Sequence, residues 1–299
     1  MNKTICLAIF CLWLCVAGTS CHLYAQDHVL VSHTDDALGK QYAARIEAML
    51  GALKETKYQA ATEIDEANGS LKCDCSGLVG HILRQDFPEA YLSLRGKEAP
   101  WRKRAVAVTF YETFIAAGEN GDGSWRRVTN LMEAAPGDVI AWRKEKVEAG
   151  STTGHVCTIA SQPELIGEGQ VRVRLIDSTR APHEDDTRPE GTFGVGAGFK
   201  MFLVNADGEC VGYQVKDRPV KAIIAVGRIV RPTAATSHAD DADFIGLSQD
   251  RAIELARKKG TSWRIVREDG IPKPINMQIL EDRLNFVVED GKIVAAYRG

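Results

Sequence analysis

Residues 71–83, Leu-Lys-Cys-Asp-Cys-Ser-Gly-Leu-Val-Gly-His-Ile-Leu, constrain the fold more tightly than any other stretch of the chain. Asp74 has the short side-chain acceptor that begins helices, and Cys75, Val79 and Ile82 then recur at the i, i+4, i+7 spacing of one helical face. The spacing predicts a buried helix that opens on Cys75. In its first turn the backbone N–H groups lack helical acceptors and the dipole end is positive, so a negative sulfur is supported there. Such a thiolate is a nucleophile, and the Cys75 N–H is placed to hold an oxyanion. Gly77 lets another segment approach the helix closely. The same pattern suits a buried structural cysteine behind a capping Asp, and the short motif does not separate the two.

The order of segments downstream separates them. Pro136–Trp142 reads as a turn and a buried strand, Gly154-His155-Val156 opens a second strand, and a third runs from Val171 to Ile176 and ends on Asp177. On the second strand His155, Cys157 and Ile159 share a face, and a histidine at its start can meet a thiol at a helix tip. His81 lies six positions beyond Cys75, turned away on a helix, and reads as a packing or surface histidine. Cys, His and Asp in this order suit a triad: Cys75 attacks, His155 moves the proton and Asp177 fixes the imidazole. His183 and Asp185 are rivals for the third place.

Four blocks, Asp74-Cys75-Ser76-Gly77-Leu78-Val79, Pro136-Gly137-Asp138-Val139-Ile140, Gly154-His155-Val156 and Ile176-Asp177-Ser178, together resemble the NlpC-type cysteine peptidases of bacterial cell walls, a papain-like family. The resemblance covers residues 36–231 or so. It implies an α+β, papain-like domain in which the helix bearing the cysteine packs on an antiparallel sheet. It further implies a thioester acyl-enzyme, peptidoglycan stem peptides as substrates, and no cofactor. Tyr58, the tyrosine upstream of the nucleophile, and Ser76 would line the substrate site, with His183 in a polar loop over it. The Gly-Gly pair that the family usually places after that tyrosine is absent here.

At 299 residues the chain has room for two domains. Its net charge of −3 gives no sign of a nucleic-acid partner or an anionic membrane. Residues 1–25 read as a signal peptide: Lys3, an apolar core from Ile5 to Ala17, and a Leu23-Tyr24-Ala25 cleavage site. Beyond them no stretch is apolar and long enough to span a bilayer, so no transmembrane segment is expected after processing. The mature protein is expected to be secreted or periplasmic. Cys21 keeps a lipid anchor as the alternative, although Gly18-Thr19-Ser20 lacks the aliphatic residue such sites carry. Four cysteines lie beyond the signal, Cys73, Cys75, Cys157 and Cys210, and Cys73/Cys75 have no second matching pair, so no metal site is expected.

The catalytic domain is read as residues 26–230, with helices over 36–54 and 105–117, and one from Cys75 that ends before Pro88. Strands are read at 138–143, 155–160, 171–177, 198–204 and 221–229, with Gly191–Gly198 as a turn into the fourth. Trp101 and Trp125 are read as core residues or lining of a groove. Residues 231–243 read as a linker, and 244–299 as a second, small α+β domain. Its helix starts at the N-cap Ser248 and stops at Gly260. Strands follow at 263–267, 283–288 and 293–297, with an Asp290-Gly291 turn. Trp263-Arg264-Ile265-Val266-Arg267, Asp269-Gly270, Asp282-Arg283-Leu284 and Asp290-Gly291 resemble the potato type I family of serine-peptidase inhibitors. That resemblance would put Met277-Gln278 at the reactive bond, and it supplies an alternative reading: an exported inhibitor or binding protein for a serine peptidase, carried on an inactive N-terminal scaffold. Leu280 stands where such inhibitors often carry an arginine that braces the loop.

Overall fold

The computed structural model describes residues 23–95, 102–146, 151–216, 218–231, 241–274, 280 and 282–298. The expected signal peptide up to residue 22, Trp101, most of the expected linker, and Met277 and Gln278 lie outside them. Met1–His33 form a unit of their own, and Thr34–Gly299 a second.

Helix α1 (Leu23–Gly51) starts well before the expected residue 36, and takes in Leu23-Tyr24-Ala25. Its Leu38, Tyr42, Ile46 and Met49 are buried at helical spacing. Three short strands, β1 (Glu55–Lys57), β2 (Glu63–Asp65) and β3 (Ser70–Lys72), form a sheet in the order β1-β3-β2 and deliver the chain to α2 (Cys75–Asp86). Pro88, with no N–H to lose, opens the next helix, α3 (Pro88–Arg95), and α4 (Ala107–Ala117) follows.

From there the pattern turns to strands: β4 (Trp125–Val128), β5 (Val139–Arg143), β6 (Gly154–Ile159), β7 (Glu164–Gly167), β8 (Gln170–Thr179), β9 (Gly194–Val204), β10 (Cys210–Val215), β11 (Arg218–Lys221) and β12 (Ile223–Ile229). They make one antiparallel sheet, ordered β11-β10-β9-β8-β6-β5-β12-β4, with β7 as a hairpin on β8. Strand alternation gives it two apolar faces. Val139 and Ala141 face the helices and pack with Tyr42, Leu78, Ile82 and Phe114. Ile140 and Trp142 face the other way, with Cys157, Val173, Leu175 and Phe202. The rings of Trp142 on β5 and Tyr213 on β10 lie 5.5 Å apart although three strands separate them in the order, so the sheet rolls into an open barrel. Trp125 belongs to the helix-side core, fully buried, its indole N–H donating to Ala90 O at 3.0 Å.

The Pro136-Gly137-Asp138 turn is a structural device. Gly137 has φ 98°, and a Cβ there would sit 2.0 Å from Gly39 O on α1. Asp138, 1 % exposed, accepts from Ala135 N and takes both oxygens to Arg228 at 2.9 and 2.8 Å.

After the linker come α5 (Gln249–Lys258), β13 (Trp263–Glu268), β14 (Ile271–Pro272), β15 (Leu284–Glu289) and β16 (Lys292–Arg298). The sheet order is β14-β13-β15-β16, with β13 and β15 parallel. One face holds Phe244, Ala252, Ala256, Leu284, Phe286 and Val288. The other, Val266, Val287 and Ala295, rests on Leu92 of α3. Arg267 seals this seam, donating to both Glu89 oxygens at 2.7 and 2.9 Å and to Asp86 O at 3.2 Å. Glu89 is 5 % exposed. Arg267→Ala therefore leaves a buried carboxylate unpaired and should lower stability by about 3–5 kcal/mol in urea unfolding, whereas Arg267→Ala with Glu89→Gln should recover most of it.

The molecule is thus a mixed α+β protein whose described residues hold five helices and several sheets, the largest antiparallel. Among the described residues no helix is long and apolar enough to cross a membrane.

Candidate active site

The position of Cys75, the expected nucleophile, is set by its neighbours in sequence. Asp74, with extended backbone (φ −90°, ψ −177°), caps α2 by accepting from Gly77 N at 2.7 Å, and Cys75 is the first residue of the helix. The close approach expected at Gly77 is real: a Cβ there would lie 2.5 Å from Thr62 Oγ1. Arg104 clamps the cap, donating to Asp74 Oδ2, Ser76 Oγ and, at 3.2 Å, Ala60 O. Ser76, 4 % exposed, thus spends its hydroxyl within this clamp.

His155, the expected base, arrives from the sheet. His155 is the second residue of β6, and its Nε2 lies 2.7 Å from Asp177 Oδ2 near the end of β8. This leaves Nδ1 free for the Cys75 thiol, whose charge acts on the ring. Trp142, paired with His155 across β5 and β6, packs its ring 4.7 Å from the imidazole at 39°. Burial alone would pull the imidazole down. The Cys75 charge and the bond to Asp177 overcome that and raise it to about 10. The ring therefore keeps its proton through the neutral range.

Asp177 is completely buried. Besides His155 it accepts from His183 Nε2 at 3.0 Å and Arg188 Nη1 at 3.2 Å. Burial pushes its carboxyl up, but the bonds and charges of His155 and His183 prevail and hold it well below the usual carboxylate range. The side chain of His183 is only 5 % exposed, so the loop residue expected to meet substrate instead steadies the carboxylate from behind. The rival Asp185 is exposed and pairs with Arg172, away from the imidazole.

Tyr58 follows β1 and lies half-buried close to the thiol. Burial, and then the nearby Cys75 and Asp74 charges, push its hydroxyl up to about 12. Arg180 stands 5.0 Å over its ring. His81 faces away, as its position on α2 demands, bonded to Glu66 at 2.7 Å. Among the described residues no group of three or more His, Cys, Asp or Glu is arranged to hold a metal ion.

Sequence reasoning missed Arg104, Arg188 and Trp142. A signal for Arg188 was present but misread. Gly194, Gly196 and Gly198 open the long strand β9 rather than a turn. At period two they share a strand face, and a Cβ at Gly196 would lie 2.5 Å from Arg188 Cγ, one at Gly198 2.7 Å from His183 Cβ. Gly196 and Gly198 clear a track along which loop 183–188 lies on the sheet and reaches Asp177. Comparison of the chain with protein-family models, curated proteins and solved structures returned no match.

Proposed function

We propose that this chain is an exported cysteine hydrolase that cleaves amide bonds in peptidoglycan stem peptides through a Cys75–His155–Asp177 triad. One observation carries the reading: a thiol at the N-terminal tip of a buried helix acts electrostatically on an imidazole whose Nε2 is fixed by a buried carboxylate. Cys75 sulfur adds to the substrate carbonyl, and the oxyanion faces the helix-tip N–H groups. His155 gives its proton to the departing amine, leaving a thioester on Cys75. Water, losing a proton to His155, then hydrolyses the thioester and releases the Cys75 thiolate beside the reprotonated imidazole. Asp177 holds the imidazole in register throughout. Peptidoglycan as the substrate class is supported by the four sequence blocks, since a fold alone does not fix a substrate.

The test is a digest of purified muropeptides by the mature chain beside Cys75→Ala, read by mass spectrometry. New fragments that vanish with the variant are expected, and they name the bond. No cleavage, with Cys75 still alkylated rapidly by iodoacetamide, would keep the hydrolase and remove this substrate. No cleavage and a sluggish thiol would overturn the hydrolase itself.

A further inference from the structure

Lys200 carries a cation into the rolled face of the main sheet. It sits half-buried on β9, with Nζ 4.2 Å from the ring centroid of Tyr213. No carboxylate of the described residues pairs with it. Burial pulls its amine down in pKa, against the more distant Cys157 and Asp177 charges. A cation partly withdrawn from water with no anion beside it is costly, and an aromatic face compensates only in part. The neighbouring rings lead back to the reaction centre. Tyr213 lies 5.5 Å from Trp142, and Trp142 4.7 Å from His155, with all three side chains half-buried and so partly open to a ligand. Because His155 protonates the departing amine, the leaving half of a substrate lies on its side. Tyr58, beside Cys75, meets the acyl half.

We infer that Trp142, Tyr213 and Lys200 form a leaving-group subsite for an amine that bears a carboxylate. The rings receive its apolar body and the Lys200 ammonium its charge. The inference rests on the hydrolase reading above and specifies which amines that hydrolase releases.

The full chain is treated with chloroacetyl-alanine and chloroacetyl-alanyl-alanine, in D and L forms, and with the C-terminal amide of each. Cys75 sulfur displaces chloride, forming a C–S bond, and intact-mass spectrometry follows the rate. The wild type should react about tenfold faster with a carboxylate reagent than with its amide. The preference should fall to about one in Lys200→Met and persist in Lys200→Arg. Rapid reaction with no preference in the wild type overturns the subsite alone, and needs no variant to fold. A preference that survives Lys200→Met overturns the assignment to Lys200. Reaction with every reagent at the rate of an ordinary thiol overturns the hydrolase reading and the subsite with it.

Discussion

Replacing His155 with alanine should lower kcat on a cleavable peptide by about three to four orders of magnitude. In the proposed reaction the imidazole performs both proton transfers, from the thiol and to the leaving amine, and neither His81 nor His183 can take its place. His81 is bonded to Glu66 on the far side of α2, and His183 lies behind Asp177. The same change should remove the rapid alkylation of Cys75 by iodoacetamide. An activity loss of less than about tenfold would show that another base serves the thiol.

The raised imidazole also sets a pH signature. His155 is held near 10, against an unfolded value of about 6.5. Its folded-state pKa is raised, so the stability it contributes is complete below pH 6.5 or so and is lost as pH rises through about 10. The basic limb of kcat/KM should fall in the same region, as the free enzyme loses the proton it must donate. Denaturant midpoints from pH 6 to 10 should decline in the wild type, and less steeply in His155→Gln. Parallel declines would remove His155 as the cause.

The helix-tip place of Cys75 was legible because local rules fix it: a capping Asp, a helical apolar period and a glycine at a close approach all act within a few residues. Strand faces were legible for the same reason, since alternation alone places Val139 and Ala141 on one side and Ile140 and Trp142 on the other. What joins distant segments was not. Trp142 meets Tyr213 only because the sheet rolls, and Arg104 reaches Asp74 across 30 residues, a contact that no periodicity announces. The residues behind Asp177 were misread for a related reason. Three glycines in alternation resemble a turn until a loop is seen lying along two of them. Likewise nothing local to Arg267 announces that its partner Glu89 lies on α3.

Asp177 should be among the costliest side chains to remove. It is fully buried and accepts from His155, His183 and Arg188. Asp177→Ala leaves these donors facing a void, with an expected loss of about 3–5 kcal/mol in urea unfolding at pH 7. Asp177→Asn keeps the volume but turns an amide N–H toward groups that are themselves donors. The imidazole loses its fixed orientation, and kcat should drop by about 10²–10⁴ even where the fold survives. The pH dependence separates the carboxylate's charge from its shape. Its folded pKa is depressed, so its contribution is present above the unfolded value of about 3.9 and is lost as pH falls toward the folded one. In between, the unfolded chain takes up a proton that the native carboxylate still refuses. The stability gap between wild type and Asp177→Asn should therefore be widest at pH 5 to 7 and shrink as pH falls below 4. A gap that stays constant down to pH 3 would mean that packing at this position, and not the negative charge shared by the two histidines and the arginine, is what the fold requires.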